Sequence, residues 1–347
     1  MCKPKYSVPS MSDIAAVKHN GCTAISTFSG CGGSTLGYRM AGFKVLWANE
    51  FIDIAKQSYR ANNPNTIVSG KDIREIPHEQ ILDEVGLESG ELDLLDGSPP
   101  CSSFSAAGSR ERGWGKVKLY SENATQRTDD LFFEFSRLVK GIQPKVFVAE
   151  NVSGLVMGKA KGYFKLIHRS LSDAGYNVRA SVLDAQWLGV PQVRRRVIFV
   201  GVRNGIDKQP VHPRPLGYRY SITEAFEESM PEPEPETTLE GYAVGREWGM
   251  MKLGTSSDKY FSLIKPDPSK PCPTITAVTC GTVAAAGVCH PYEKRKFSLA
   301  ELKRLCSFPD DYTFIGDFEQ KAERMGRAVP PVMMKHIADS IYNKILR

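Results

Sequence analysis

One cysteine in the sequence stands where a nucleophile could be held. Cys101 follows two prolines in the polar segment GSPPCSSFS at 97–105. Proline rings restrict the backbone of such a turn, and a thiolate is a strong nucleophile once its proton is lost. The alternative is a buried structural cysteine, although a Ser-rich turn is not typical of a protein core. We therefore take Cys101 as a candidate for covalent catalysis.

A carboxyl group and a pair of arginines could assist such a nucleophile. Glu150 ends the apolar run KVFVAEN, and burial of this strand would raise the pKa of Glu150 so that it could transfer a proton. A salt-bridged strand-end acid is the alternative. In QVRRR at 192–196, strand alternation places Arg194 and Arg196 on one face and Arg195 on the other. Two arginines facing a cleft could hold a base or a phosphate.

A glycine-rich turn, FSGCGG at 28–33, follows an apolar strand and opens a helical segment. Glycines permit tight turns and close approach of a ligand, and the amides that start a helix favour anionic or polar groups. Glu50 and Asp72, predicted at the ends of the second and third strands, could accept hydrogen bonds from a ribose and an adenine amino group. A plain strand–helix turn, a helix cap or a surface acid is the alternative in each case.

An alternation of apolar strands and helical segments positions these residues. It predicts an α/β fold with a mainly parallel sheet and helices on both faces. Ligands bind such sheets at the carboxyl ends of the strands, where the candidate residues fall. The predicted strands are 21–28, 43–50, 92–97, 145–151 and 195–203, and the predicted helices are 53–62, 129–140 and 163–174.

The alternation stops near residue 204. The irregular segment that follows includes the acidic proline-rich stretch PEPEPE at 231–236, which predicts a stiff linker or loop. A β-like sequence pattern at 274–288 and a predicted helix at 299–306 come next. We predict one domain formed by 1–204 and 320–347, including a returning C-terminal helix, and a smaller domain at 205–319.

Composition narrows the class of protein. With 347 residues, 41% hydrophobic and 24% charged, the chain is long and apolar enough to bury a core, which excludes disorder as its main state. No apolar run could span a membrane, and the N-terminus lacks a signal-peptide core, so we expect a cytoplasmic protein. The eight cysteines form no Cys-x-x-Cys pair and no zinc spacing, so we expect no metal.

Charge is distributed unevenly along the chain. The net charge is +6, but residues 205–269 carry seven basic and eleven acidic side chains, which leaves +10 for the remainder. A polyanion such as nucleic acid is therefore a candidate partner, and solvated surface charge is the alternative. The basic clusters are Arg110, Arg112, Lys116 and Lys118, then 194–196, then Lys294-Arg295-Lys296.

The candidate segments described above, together with three later ones, resemble in order and spacing the motifs of the DNA (cytosine-5) methyltransferase family over nearly the whole chain. Each motif alone is weakly specific, but the complete set in the family's order is specific. The matching segments are FSGCGG, Glu50, Asp72, Pro100-Cys101, ENV at 150–152, QVRRR, KPCPTIT at 270–276, FPD at 308–310 and MGRAVP at 325–330.

The resemblance implies a Rossmann-like, S-adenosylmethionine-dependent methyltransferase sheet and a smaller, irregular, β-rich target-recognition domain. It implies that Cys101 attacks carbon 6 of cytosine, that Glu150 protonates the ring and that Arg196 holds the ring oxygen, with Arg194 supporting the adduct or a phosphate. The implied residues for S-adenosyl-L-methionine are Phe28, Ser29, Gly30, Cys31, Gly32, Gly33, Glu50, Phe51, Asp72, Ile73, Pro99, Leu131, Arg327 and Val329. Those for DNA are Ser102, Ser105, Arg110, Arg112, Trp114, Lys116 and Gln192.

The implied partner is double-stranded DNA, from which the target base must be flipped out. The segment 106–121 resembles the family's loop that closes over that base. A cognate restriction endonuclease and a monomeric enzyme of a bacterium or phage are further expectations. Methylation of transfer RNA by the same fold, an inactive binding relative and a nicotinamide dehydrogenase are the rival interpretations.

Three positions depart from the family's pattern. Ser26-Thr27 stands where an acid usually precedes the Phe of the glycine turn, Ser102 replaces the usual Gln after the nucleophile, and Arg327 replaces Asn. None of these changes removes a group that the chemistry requires, and they bear on the affinity for the cofactor.

Overall fold

The computed structural model describes residues 3–100, 118–121, 124–126, 130–158, 160–260, 262–277 and 287–347. The chain forms two compact units. We call them the sheet unit, which holds Val17–Leu183, Arg195–Pro213 and Lys335–Arg347, and the accessory unit, which holds Met1–Ala16, Asp184–Arg194 and Arg214–Met334.

This division does not coincide with the predicted boundaries at 204/205 and 319/320. The N-terminal segment belongs to the accessory unit because Tyr6 donates its hydroxyl to the carbonyl of Arg304, and Tyr220 donates to Pro4. Residues 184–194 belong there because the amide of Val193 donates to Cys272 at 2.8 Å. Long-range hydrogen bonds of this kind leave no trace in local sequence patterns.

A seven-stranded sheet organises the sheet unit. The strands are β1 Thr23–Thr27, β2 Lys44–Asn49, β3 Ile67–Ser69, β4 Leu94–Gly97, β7 Val146–Val152, β8 Tyr176–Asp184 and β9 Arg195–Arg203, and a separate antiparallel pair is β5 Lys118–Ser121 with β6 Ala124–Gln126. The sheet order is β3-β2-β1-β4-β7-β9-β8. Neighbouring strands along β3-β2-β1-β4-β7 pair in parallel, and β9 runs antiparallel to β7. Chain order reverses between β1 and β4, so the loops after these two strands flank the point where such sheets bind ligands.

Helices and aromatic side chains bury the sheet. The helices of this unit are α2 Gly33–Met40, α3 Asp53–Asn62, α4 His78–Val85, α5 Leu131–Ile142 and α6 Ala160–Asp173. Phe135 on α5 and Phe147 on β7 stack edge to face with centroids 6.0 Å apart. Gly97 and Gly201 make this packing possible, since an added Cβ would lie 2.5 Å from Phe135 and 2.1 Å from Phe147 respectively.

The accessory unit contains short elements. These are α1 Met11–Ala15, α7 Ile222–Ala225, α8 Ala243–Met250, α9 Leu299–Leu305, α10 Phe318–Arg327 and the start of α11 Pro331–Ile341, with β10 Thr255–Ser256 and β11 Ile264–Lys265. Its irregularity was predicted, but regular β pairing within its described residues is confined to the two-residue strands β10 and β11 and isolated bridges. Prolines at 266, 268, 271 and 273 remove amide donors there.

The described cysteines, Cys22, Cys31, Cys272, Cys289 and Cys306, are buried and form no disulfide. No described helix is long and apolar enough to cross a membrane. Among the described residues, no group of three or more His, Cys, Asp or Glu is arranged to hold a metal ion.

Candidate active site and cofactor site

The glycine turn lies between β1 and α2, as the sequence predicts. Phe28, Gly30 and Gly32 have positive φ of 53°, 56° and 96°, and the amide of Ser29 donates to the carbonyl of Asn49 at 2.9 Å. A Cβ built on Gly30 would meet no atom within 4 Å. The space beside Gly30 at the carboxyl end of β1 is therefore open, and a ligand could approach the backbone closely there.

Glu50 is held against this turn. Its two carboxylate oxygens accept the amides of Gly30 and Ile52, each at 2.7 Å. Phe51 beside it is an exposed aromatic residue, with 43% of its surface accessible. An acid that accepts hydrogen bonds and an exposed ring at the end of β2 fit the ribose and the base of an adenosyl group.

Asp72 does not end the third strand, because β3 stops at Ser69. Its carboxyl caps the short 3-10 turn that begins at Ile73, accepts the amide of Arg74 at 3.0 Å and pairs with the Arg74 guanidinium at 2.9 Å. This is the helix-cap alternative, and it keeps Asp72 beside the β2–β3 edge. Ile73 and Leu131 are buried in the core of the sheet unit.

Glu150 and Arg196 form an ion pair on neighbouring strands. Arg196 Nε lies 2.7 Å from Glu150 Oε1, and both side chains are largely buried. The register of β7 and β9 places Val152 opposite Arg196, so the two charged groups meet at the carboxyl end of β7. The pair that the family resemblance assigned to one cytosine ring is thus brought together. The salt-bridge alternative for Glu150 also describes this arrangement.

Asn151 connects this pair to the predicted nucleophile loop. Its Nδ2 donates to the carbonyl oxygen of Pro99 at 3.0 Å, and its Oδ1 accepts the amide of Val152 at 2.9 Å. Asn151 is buried, so its amide fixes the start of the turn before Cys101. The predicted residues Cys101, Ser102, Ser105, Arg110, Arg112, Trp114 and Lys116 lie outside the described residues.

Arg194 and Gln192 are buried in the accessory unit and bond mainly to backbone groups, which favours a structural role over their predicted contacts with the base or DNA. The guanidinium of Arg194 is buried and donates to the carbonyls of Ile275, Gly326 and Arg327 at 3.0–3.3 Å. Gln192 is fully buried; it donates to the carbonyl of Leu305 and accepts the amide of Ile275. Strand alternation gave the face of each side chain but could not identify the backbone packed against that face.

The basic cluster Lys294-Arg295-Lys296 is also not a free cationic surface. Arg295 is buried in a bidentate pair with Glu301, at 2.7 and 2.8 Å, and Lys294 pairs with Glu240 at 2.9 Å. Lys296 is 2% exposed. Arg295 and Lys296 thus belong to the interior of the accessory unit, whereas Lys294 forms a surface ion pair.

Two further predicted cofactor residues also lie in the accessory unit. Arg327 pairs with Glu323 one turn earlier on α10, at 2.7 Å. Val329 is buried. Their assignment to the cofactor stays a prediction.

Sequence reasoning missed Asp96, a buried acid on β4. Its carboxylate accepts hydrogen bonds from Ser26 Oγ and Tyr38 Oη, both at 3.0 Å. Burial raises its pKa to about 7, against the lowering effect of these two bonds, and the charge of Glu150 raises it further. The one available signal was an acid between Leu95 and Gly97 in an otherwise apolar strand.

The sheet order, the glycine turn on β1 and the acid ending β2 define a Rossmann-like methyltransferase sheet. The chain matches the model of the C-5 cytosine-specific DNA methylase family over residues 22–343, and it belongs to that family. It is 32% identical over 346 residues to the Type II methyltransferase M.NgoFVII of Neisseria gonorrhoeae, covering 91% of this chain and 85% of that protein. It is 30% identical to M.PspPI of Psychrobacter sp. (strain TA137), covering 92% and 78%.

Solved structures share the fold. A putative DNA modification methyltransferase encoded within an E. coli prophage superposes with a TM-score of 0.76 at 22% identity, covering 93% of this chain and 99% of that one. Dnmt2 of S. pombe gives a TM-score of 0.67 at 17% identity, covering 93% and 98%. The protein is therefore a DNA cytosine-5 methyltransferase that uses S-adenosylmethionine as methyl donor.

Proposed function

We propose that the protein methylates carbon 5 of a cytosine flipped out of duplex DNA, through a transient covalent bond from Cys101, as the modification enzyme of a bacterial or phage restriction–modification system. The observation that carries this proposal is the Glu150–Arg196 pair beside Asn151, whose amide holds Pro99. It puts a proton-transfer group and a fixed cation next to the turn that leads into Cys101.

The chemistry follows from the low nucleophilicity of carbon 5. The Cys101 thiolate bonds to carbon 6, and the electron pair of the ring double bond becomes available at carbon 5. Glu150 donates a proton to ring nitrogen 3 as negative charge develops there. Arg196 orients the carboxyl through Oε1 and donates to the ring oxygen, which keeps the ring in place.

S-adenosylmethionine supplies the methyl group as an electrophilic sulfonium when it is bound. The residues of the sheet unit that we assign to it are the glycine turn, Glu50, Phe51 and the Asp72 cap. Transfer of the carbon 5 proton to a solvent base then returns an electron pair to the ring, restores the double bond and expels Cys101 as a thiolate. Glu150 takes back the proton of ring nitrogen 3.

We assign double-stranded DNA as substrate and residues 205–319 as the target-recognition region. The predicted DNA contacts at 102–116 follow Cys101 in sequence and include the basic residues Arg110, Arg112 and Lys116. Arg295 and Lys296 are buried and Lys294 pairs with Glu240, so we do not assign this cluster to DNA. The enzyme acts as a monomer in the cytoplasm, with a cognate endonuclease as its partner.

Bisulfite sequencing of DNA from cells that express the protein tests this function. We expect methylcytosine at one short recurring sequence, and none in cells that express Cys101→Ser. Transfer RNA from the same cells is treated with bisulfite and sequenced in the same experiment. Methylation of that RNA without methylation of DNA would overturn the choice of substrate.

A further inference from the structure

Asp96 links strand β1, which leads into the glycine turn, to strand β4, which leads to Pro99 and Pro100. In the parallel pairing of β1 and β4 it is directly opposite Ser26. Its Oδ2 accepts from Ser26 Oγ and its Oδ1 accepts from Tyr38 Oη, each at 3.0 Å, and the residue is 1% exposed. Both carboxylate oxygens are therefore engaged within the interior of the sheet unit.

The two donors, Ser26 and Tyr38, lie on the strand and the helix that flank the glycine turn. β1 leads from Ser26 into the glycine turn, and α2, which carries Tyr38, begins where that turn ends. β4 leads from Asp96 through Gly97 and Ser98 to Pro99. A second link runs in parallel, because Thr27 Oγ1 donates to the carbonyl of Asp96 at 3.0 Å. One carboxylate thus joins the strand before the glycine turn and the helix after it to the strand that precedes Cys101.

A carboxylate is a costly choice for this position. Burial of an ionised carboxyl is unfavourable, and here its two hydrogen bonds come from hydroxyl groups. An apolar side chain would satisfy the packing at lower cost, but it would join neither Ser26 nor Tyr38. The pairing adds a second observation, since β1, Thr23–Thr27, carries no acid of its own and Asp96 is the partner of Ser26 across the strands.

We propose that Asp96 is a positioning residue, which sets the glycine turn against Ser98–Pro100, the segment that leads into Cys101, and provides a carboxylate from β4 beside a strand β1 that has none. Its effect on the Cys101 loop rests on the proposed function, whereas its effect on the glycine turn does not. Asp96 touches neither substrate nor cofactor in this proposal. It acts through Ser26, Tyr38 and the two loops.

The test exchanges the acid between the strands. The variants are Asp96→Asn, Asp96→Ser, Ser26→Asp and the double variant Ser26→Asp/Asp96→Ser. Asp96→Asn replaces one acceptor by a donor that faces a hydroxyl, so we expect kcat/KM for S-adenosylmethionine to fall about tenfold or more. The double variant restores one carboxylate and one hydroxyl at the same pair of positions, so we expect it to recover most of that loss, while both single exchanges stay impaired.

Asp93→Asn is the matched control. Asp93 also accepts from β1, through the amide of Thr23 at 2.8 Å, but it lies at the opposite end of the strands and pairs with Lys145. We expect Asp93→Asn to lower the melting temperature and to leave the affinity for S-adenosylhomocysteine within about twofold of the wild type.

Two measurements separate the outcomes. Calorimetry with S-adenosylhomocysteine, on protein shown to be folded by its melting transition, reports on the glycine turn even if no DNA is methylated. An absence of wild-type methylation would therefore defeat the proposed function and leave the test of Asp96 intact. If Asp96→Asn binds S-adenosylhomocysteine and turns over like Asp93→Asn, or if a folded double variant is no better than its parents, the proposal is overturned.

Discussion

Asn151 Nδ2 donates a hydrogen bond to the carbonyl oxygen of Pro99 at 3.0 Å. This bond joins the end of β7, next to the Glu150–Arg196 pair, to the turn that precedes Cys101. A similar bond lies at the end of β2, where Asn49 Nδ2 donates to the carbonyl of Lys71 at 2.9 Å and fixes the turn before Asp72. Two strand-end asparagines thus hold two different loops.

We expect substitution of these two asparagines to affect different quantities, turnover for Asn151 and cofactor affinity for Asn49. Asn151→Ala should lower kcat by about tenfold or more, because the buried Pro99 carbonyl loses its donor at a cost of about 1–3 kcal/mol and the nucleophile turn is less restrained. Asn49→Ala should instead raise the dissociation constant of S-adenosylhomocysteine. Steady-state kinetics and calorimetry on both variants check this, and equal effects of the two changes on both quantities would contradict it.

Glu50→Ala should weaken cofactor binding more than it slows turnover at saturating cofactor. The variant loses the carboxylate that accepts from Gly30 and Ile52 and that we assign to the ribose of the cofactor. A loss of about 1.5–3 kcal/mol corresponds to about 10- to 150-fold in affinity for S-adenosylhomocysteine. Asp53→Asn is the control, since this nearby acid has an exposed side chain paired with Lys56. Unchanged calorimetric affinity in Glu50→Ala would remove Glu50 from the cofactor site.

The strands that local sequence patterns determine were predicted, whereas those that depend on packing against distant residues were not. Continuous apolar runs predicted β1, β2, β4 and β7 to within two residues at each end and β9 at 195–203, because a central strand is apolar on both faces. Strand β8 was missed because its residues are only partly buried. The third strand was misplaced because Ile67–Ser69 is only three residues long.

Side-chain partners were harder to predict than elements. Glu150, Arg196 and Glu50 were placed correctly at strand ends, where topology alone brings them to one edge of the sheet. The partners of Arg194 and Gln192 could not be predicted, since they include backbone carbonyls and amides more than 80 residues away in sequence. Asp96 was missed because nothing local distinguishes a buried functional acid from a strand-end acid.

Arg194→Ala should therefore act on stability rather than on base recognition. The guanidinium is buried and donates to three backbone carbonyls, and leaving these acceptors without donors costs about 3 kcal/mol or more. We expect a marked fall in melting temperature, with DNA affinity retained by the folded fraction at low temperature. A variant of wild-type stability that no longer methylates DNA would return Arg194 to the catalytic site.

Asp96 also predicts the sign of a pH effect on stability. Its pKa rises from 3.8 to about 7 on folding, mainly through burial and also through the charge of Glu150. The native state then binds more protons than the unfolded state, so this group lowers stability as pH rises from about 4 to 7. Relative to Asp96→Asn, the wild type should lose up to about 4 kcal/mol of unfolding free energy over this range, at 1.36 kcal/mol per pKa unit. Urea denaturation of the two proteins at each pH measures this loss. A difference in unfolding free energy that stays constant from about pH 4 to 7 would refute the assignment.

The most direct test of covalent catalysis by Cys101 is to trap the adduct on duplex DNA that carries 5-fluorocytosine at the target, with S-adenosylmethionine present. Fluorine cannot leave as a cation, so release of Cys101 is blocked after methyl transfer. We predict a complex that survives a denaturing gel, with the peptide containing Cys101 bearing the DNA in mass spectrometry. Cys101→Ser should give no such complex, and Glu150→Gln should form it slowly because the ring is poorly protonated. An adduct on another cysteine, or trapping on fluorinated RNA and not on DNA, would contradict the account.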